Sequence, residues 1–257
     1  MLVRYLVVSA LAFAAVRAGA QSAADHITVG DTLHAQFKDE DALEQYREAV
    51  KVDSNSYEAL WRISRDAVDL GEFQPDKTKQ RALYDEGLAA AQHALRLKPQ
   101  VADSHFWVAR ALGRVALSLG KKDRVRYAKD VRAHALEALA IDSLNSGALH
   151  VMGVWNAEIM RLSGISRFMA RNFLGGDVFS QANWNEAVRY MEKAVAVDPH
   201  RLTHQLDLAL VYRDRDKAGD KERAKQQFQA VIDGKVSEYN DPNYKNVAEK
   251  ALAEMSH

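Results

Sequence analysis

Four segments with helical patterning end on the same five-residue signature. It reads Ala49-Val50-Lys51-Val52-Asp53, Ala94-Leu95-Arg96-Leu97-Lys98, Ala138-Leu139-Ala140-Ile141-Asp142 and Ala194-Val195-Ala196-Val197-Asp198, with a worn fifth copy at Ala230-Val231-Ile232-Asp233. Two copies run directly into proline, at Pro99 and Pro199, where a helix must stop because proline has no backbone donor. Recurrence over tens of residues marks a repeat array, in which each unit packs only on its neighbours and the stack presents a continuous surface to a partner. A repeat array predicts architecture well and partner identity poorly.

Composition narrows the class further. Four prolines and abundant Ala, Leu, Glu, Lys and Arg predict an all-helical protein. There is no cysteine, which removes disulfides, thiolate catalysis and thiolate-bound metals. Residues 1–20 carry Arg4, an apolar run from Tyr5 to Val16, and Ala18-Gly19-Ala20 before Gln21, the layout of a secretory signal peptide. Twelve apolar residues are too few to span a bilayer, which needs about 20. With no cysteine after the run, a lipid-anchored lipoprotein is not expected. The expectation is export to the periplasm or outside the cell, with maturation at Gln21 and no transmembrane span after signal removal. Loss of Arg4 and Arg17 leaves 33 basic against 35 acidic side chains, so no general attraction to nucleic acid or anionic lipid is expected.

After a polar leader at residues 21–26, apolar residues recur at helical spacing in paired segments through 27–257. Asp41–Val52 is a second-helix pattern. Tyr57–Leu70, stopped by Gly71, pairs with Lys77–Leu97, and Val101–Leu119 pairs with Asp123–Ile141. Asn145–Leu162 pairs with Asn185–Val197, Leu202–Arg215 pairs with Lys221–Ile232, and Tyr244–Met255 closes the chain after the turn Asn240-Asp241-Pro242. The small residues Ala187 and Ala194, seven apart, with Pro199 five later, resemble the tetratricopeptide second-helix pattern; Ala42 and Ala49 repeat its first part. Leu149, Met152 and Gly153, and Leu60, Ile63 and Ser64, resemble its first-helix pattern. The resemblance implies a tetratricopeptide-type all-α solenoid of paired antiparallel helices.

The spacing departs from the family norm of about 34 residues. The signature recurs after 45, 44, 56 and 36 residues. Two repeats therefore carry extended second helices, and one carries an insertion near Gly164–Asn183. With Trp155-Asn156-Ala157-Glu158, Trp184-Asn185-Glu186-Ala187-Val188-Arg189-Tyr190 and Asn240-Asp241-Pro242-Asn243-Tyr244-Lys245, these features resemble the regulator of microtubule dynamics family, a divergent tetratricopeptide group. Its shared motifs are packing motifs, which bear on fold more than on activity.

No catalytic constellation stands out, and neither cofactor nor metal is expected. The histidines form no H-E-x-x-H motif, and His93, His105 and His134 fall near packed stripes. Gly113–Lys121 ends in Gly-Lys but has the wrong spacing for a phosphate loop and no preceding strand. There is no G-x-S-x-G elbow.

In the tetratricopeptide fold, first helices line the concave face. Carrying that phase along the chain gives inward rows of Trp61, Phe106, His150 and Leu206; of Arg65, Arg110, Val154 and Leu210; and of Asp69, Arg114, Glu158 and Asp214. Arg110 and Arg114 are i,i+4 neighbours whose guanidinium groups can converge on one carboxylate or phosphate. Aromatic anchors beside an arginine clamp suit a peptide groove. The plainer alternative is that Trp61 and Phe106 fill space and the arginines pair with Asp69 or Asp103. In the insertion, Arg167 and Arg171 share one helical face and Phe173 lies with Met169 on another. With Phe168, the segment reads as an amphipathic lid, a membrane or apolar-ligand contact, or a loop that plugs a gap.

The leading expectation is a non-enzymatic scaffold that binds a protein or peptide segment in its concave groove, with Arg110 and Arg114 exposed. A carrier for an apolar small molecule or lipid would instead show a closed channel lined by Trp61, Phe106, Phe168 and Phe173. A microtubule-associated regulator is what the family resemblance implies.

Overall fold

The computed structural model describes residues 21–119, 121–162 and 177–255, which hold twelve helices and no strand. Three pairs come first: α1 (Ala23–His34) with α2 (Asp39–Val52), α3 (Tyr57–Glu72) with α4 (Lys77–Leu97), and α5 (Ala102–Ser118) with α6 (Lys121–Ile141). Next, α7 (Ser146–Arg161) pairs with α9 (Trp184–Val197), the short α8 (Asp177–Ser180) lying between them in sequence. A last pair, α10 (Leu202–Arg215) with α11 (Asp220–Asp233), is followed by α12 (Asp241–Glu254). The fold is the tetratricopeptide-type solenoid that the repeats imply.

The recurring signature is a helix stop. The backbone N–H groups of Asp53, Lys98, Asp142 and Asp198 donate to the carbonyls of Ala49, Ala94, Ala138 and Ala194 at distances between 2.8 and 3.0 Å. In the fifth copy Gly234 takes the same role and donates to Ala230. The alanines of the first four copies are fully buried, which lets neighbouring helices approach closely. Ala42 and Ala187, seven residues ahead of Ala49 and Ala194, are fully buried too, and Leu60, Ile63, Ser64, Leu149 and Met152 line the facing first helices.

The irregular spacing has the expected source. Helices α4 and α6 run 21 residues each, against 14 for α2, α9 and α11. In the 56-residue unit the extra chain lies between α7 and α9. Its described end puts Phe179 fully inside the core, stacked on Trp155 at 6.3 Å, and bonds the Asn183 N–H to Asn156 Oδ1 at 3.2 Å. Arg167, Phe168, Arg171 and Phe173 lie outside the described residues.

Three boundaries differ from the sequence expectation. Residues 23–26, read as a polar leader, are the first turn of α1, capped reciprocally by Ser22 and Asp25. Helix α12 starts at Asp241, with Pro242 in its first turn, where a missing donor costs nothing. Gly71 does not stop α3, which continues to Glu72. A Cβ at Gly71 would lie 2.5 Å from Tyr84 Cε1, so this glycine makes room for a ring of the partner helix.

Helices α1, α3, α5, α7, α10 and α12 pack in succession as an inner row, while the second helices lie on their own partners and on the next first helix. The row curves until its last member meets its second. Asn240 Nδ2 donates to the Asp69 carbonyl at 2.8 Å, the Tyr244 hydroxyl donates to Glu72 at 2.8 Å, and the Tyr244 ring meets Phe73 edge-on at 5.7 Å. The chain thereby closes across its own concave side.

Candidate functional site

Among the described residues, two recesses stand out along the inner row. One is a cavity of about 320 Å³ walled by α5, α7 and α10 with α6 behind. Arg110, Arg114, His150 and Glu158 line it, together with Val154 and Leu210 of the expected rows. The other is a cleft of about 510 Å³ at the starts of α3, α5 and α7, which holds Trp61 and Phe106 beside Trp107. Arg110 lies between them: it lines the cavity while its guanidinium sits 5.8 Å from the centre of the Trp107 ring.

The cavity's charges are answered within the chain. Arg110 donates to Asp69, and Arg114 lies 2.7 Å from Glu72, the carboxylate that also accepts from Tyr244. Burial favours the neutral form of each guanidinium, yet Asp69 and Glu72 outweigh it and hold both pKa values above the ordinary arginine range. The two arginines therefore do not converge on one anion; each takes its own acid from α3. Arg110 Nη1 is the donor left over, buried and without a hydrogen-bond partner among the described residues. Asp103, the other acid considered, instead accepts from Asn145 Nδ2 at 2.7 Å.

Further along the wall, His150 Nε2 lies 2.7 Å from Asp207 Oδ2. Burial works to raise the Asp207 pKa, but the His150 hydrogen bond, His150 charge, Arg114 and Arg161 keep it below the usual carboxylate value. His150 stacks on the buried His204 at 4.7 Å, whose imidazole is held neutral by burial and by the neighbouring His150 and Arg201. Arg161 donates to Glu158 at 2.8 Å and to Asp214 at 2.7 Å. The result is an apolar floor ringed by charges of both signs in fixed pairs.

The cleft is different in kind. Trp61 and Trp107 stack at 5.7 Å, nearly parallel, with Arg62 and Arg65 over the Trp61 ring. Trp61 is part-exposed, whereas Phe106 is buried against Trp107 and the start of α7. A Cβ at Gly147 would fall 2.4 Å from Phe106 Cε2, so the ring fits only because that position is glycine. Lys98 and Arg201 stand at the rim; Lys98 lies over the Tyr57 ring at 4.0 Å and Arg201 pairs with Glu238 at 2.9 Å.

The expected groove residues thus separate into three places. Arg110, Arg114, His150 and Glu158 meet in the cavity, and Trp61 and Phe106 meet in the cleft. Arg65 lines neither recess, although it backs the Trp61 ring at 5.3 Å. Its Nε donates to Asp66 Oδ1 at 2.6 Å and Nη2 to the Tyr46 hydroxyl at 3.3 Å, inside the first two repeats. Of the closed channel that a carrier would need, Trp61 and Phe106 line the cleft, while Phe168 and Phe173 lie outside the described residues. Nor are the arginines freely exposed: the Arg110 and Arg114 side chains retain 14% and 22% of their accessibility. Sequence reasoning missed Trp107, Glu72, Asp207 and Tyr244. Only Trp107 left a local signal, as the aromatic neighbour of Phe106 one repeat after Trp61.

Comparison with known proteins accords with this architecture. The family described as regulator of microtubule dynamics protein 1-3 matches residues 27–256. Regulator of microtubule dynamics protein 1 of Mus musculus is 27% identical over 157 residues, 61% of this chain and 49% of that protein. Its Bos taurus counterpart is 26% identical over 159 residues, 62% of this chain and 48% of that protein. The chain spans about half the length of these relatives. A thermophilic TPR protein of Thermus thermophilus superposes with a TM-score of 0.64 at 15% identity, over 90% of this chain and 99% of the other, which bears on fold alone. The chain belongs to the regulator of microtubule dynamics protein 1-3 family.

Proposed function

We propose that this protein is an exported, non-enzymatic scaffold that seats a segment of a partner protein along the cleft and cavity of its inner helix row. The observation that carries this reading is that the part-exposed Trp61, stacked on Trp107, lines a cleft on the same helix row as the charged cavity. An apolar or aromatic side chain of the partner fits the Trp61–Trp107 cleft, and its neighbours meet the paired charges of Arg114, Glu158 and Asp207. Rigid stacked aromatics beside charged groups are characteristic anchors for protein segments. The intramolecular ion pairs give the site electrostatic shape without a large net charge, which favours selectivity over non-specific attraction.

Peptides selected from a displayed library against the full chain test this reading. Binding should weaken about tenfold or more on Trp61→Ala, the loss typical of a central aromatic anchor. Selected peptides that ignore Trp61→Ala and Trp107→Ala would place the site elsewhere. Export rests on the order of charge, apolar run and small residues in 1–20. N-terminal sequencing of the native protein should start at Gln21, and an intact Met1 in the cytoplasmic fraction would overturn it.

The apolar floor of the cavity favours a second reading, carriage of an apolar group. Its volume is at the low end of the roughly 300–1,000 Å³ common for ligand pockets. Native mass spectrometry that finds a stoichiometric small molecule would favour it. A microtubule role comes from the relatives' name, and co-sedimentation with polymerised tubulin is its test.

A further inference from the structure

Three side chains outside the recesses converge where α1 turns into α2. His34 is the last residue of α1, Asp39 the first of α2, and Asp66 lies mid-way along α3. The connecting turn is tight: the Lys38 N–H bonds back to the Leu33 carbonyl at 3.0 Å, and Phe37 adopts φ 59°, a conformation unfavourable for a bulky side chain. His34 Nδ1 lies 3.2 Å from Asp39 Oδ1 and 3.4 Å from Asp66 Oδ1. One donor atom from each residue lies within 4.8 Å of the others.

Both carboxylates are fully buried, and they are poorly satisfied. Neither Asp39 oxygen, nor Asp66 Oδ2, nor His34 Nδ1 has a hydrogen-bond partner among the described residues. The imidazole nitrogen approaches two carboxylates almost equally without aligning a hydrogen bond to either. Buried carboxylate oxygens without donors are strongly unfavourable unless a cation answers them. Arg65 answers only one, holding Asp66 Oδ1 at 2.6 Å.

We propose that His34, Asp39 and Asp66 bind a divalent first-row transition ion of the Zn²⁺ class, which clamps the first helical hairpin onto α3. Nitrogen and oxygen atoms bound to one such ion at about 2.0–2.2 Å stand roughly 3 Å apart, close to the spacing of His34 Nδ1 from the two carboxylates. One imidazole with two carboxylates suits Zn²⁺, Mn²⁺ or Fe²⁺ better than the all-oxygen preference of Ca²⁺ or Mg²⁺. Arg65 plays the outer role that orients a ligating carboxylate, sharing Asp66 Oδ1 with the site. The His34 side chain keeps 26% of its accessibility, giving an ion a way in and water a place on its open side. The residues stand five and 27 positions apart on three helices, so no local metal motif announces them.

The test uses the full chain freed of metal with a chelator. Calorimetric titration with ZnCl₂ should find one tight equivalent. Affinity should fall at least tenfold in Asp39→Asn and in His34→Ala, and stay unchanged in His200→Ala, which removes an exposed histidine elsewhere. In thermal melts the native chain should gain stability with Zn²⁺, reversibly with chelator, while folded Asp39→Asn gains none. Should a variant fail to fold, the native chain still decides: its visible Co²⁺ absorption should be displaced by one equivalent of Zn²⁺. A native chain that takes up neither ion, or a folded Asp39→Asn that binds as tightly as the native chain, overturns the proposal.

Discussion

The cleft and the cavity lie side by side on one helix row, yet their side chains are held in opposite ways. In the cleft, Trp61 rests on Trp107 with part of its ring open, and the rim cation Lys98 is tied loosely, 3.7 Å from the exposed Glu58. In the cavity, Arg110, Arg114, His150 and Arg161 each face a carboxylate drawn from a neighbouring repeat, Asp69, Glu72, Asp207 and Asp214. An inward-facing position is therefore not the same as an available one. The cavity's charges knit the inner row together before they can meet a partner, whereas in the cleft Trp61 has surface to spare.

This contrast makes the cavity the place where substitution should cost most stability. Arg110→Ala leaves Asp69 without its cation and should destabilise by about 3–5 kcal/mol, measured by denaturant unfolding. Arg110→Met combined with Asp69→Leu should recover most of that loss, because an apolar pair of similar volume removes both stranded charges. A small loss for Arg110→Ala alone would mean that the pair is solvated and the cavity resembles the cleft.

An intermediate effect is expected where the cleft leans on α7. Gly147→Ala drives a methyl group into the Phe106 ring and should cost about 1–3 kcal/mol by overpacking, read from thermal melts. Fluorescence of the tryptophans should change with it, since Phe106 packs on Trp107 at 4.6 Å.

The pH response probes the wall behind the cavity. His204, behind the cavity wall, has a folded pKa lowered from the ordinary value, chiefly by burial. Below about pH 6.5 the unfolded chain takes up a proton that folded His204 refuses, so this residue removes stability as pH falls, by up to about 1.4 kcal/mol per pH unit. Comparing the native chain with His204→Gln between about pH 7.5 and 5.5 isolates the contribution. The variant should lose less stability across that window; equal slopes would show that His204 protonates in place.

Trp61→Ala should give the smallest stability change, about 1 kcal/mol or less beyond the lost stacking, because the ring is already part-exposed. Its effect belongs on binding. A large drop in melting temperature with unchanged peptide affinity would make the cleft structural and reverse the contrast.

The sequence carried the fold well and the site only in outline. Ala49, Ala94, Ala138 and Ala194 are legible because stopping a helix and packing it tightly are local demands met by fixed residue types. Gly71 misled for an instructive reason: glycine ends helices, but it also makes room for a ring, and the Tyr84 that needs the room is on another helix. Of the inward rows, Arg110, Arg114, His150 and Glu158 line one cavity, while Trp61 and Phe106 line another recess. They could not reveal Glu72 or Asp207 as partners, because pairing across repeats depends on how steeply the row curves. That curvature also brings Tyr244 to Glu72, 172 residues away. No periodicity encodes such a contact.

Hydrogen exchange along the backbone of the full chain, with and without a selected peptide, tests the central claim most directly. The account expects protection at the starts of α3, α5 and α7 around the Trp61–Trp107 cleft. It should continue into the α7 and α10 walls of the cavity, with α2, α4 and α11 unchanged. Protection confined to those outer helices, or none on the inner row at saturating peptide, would contradict it.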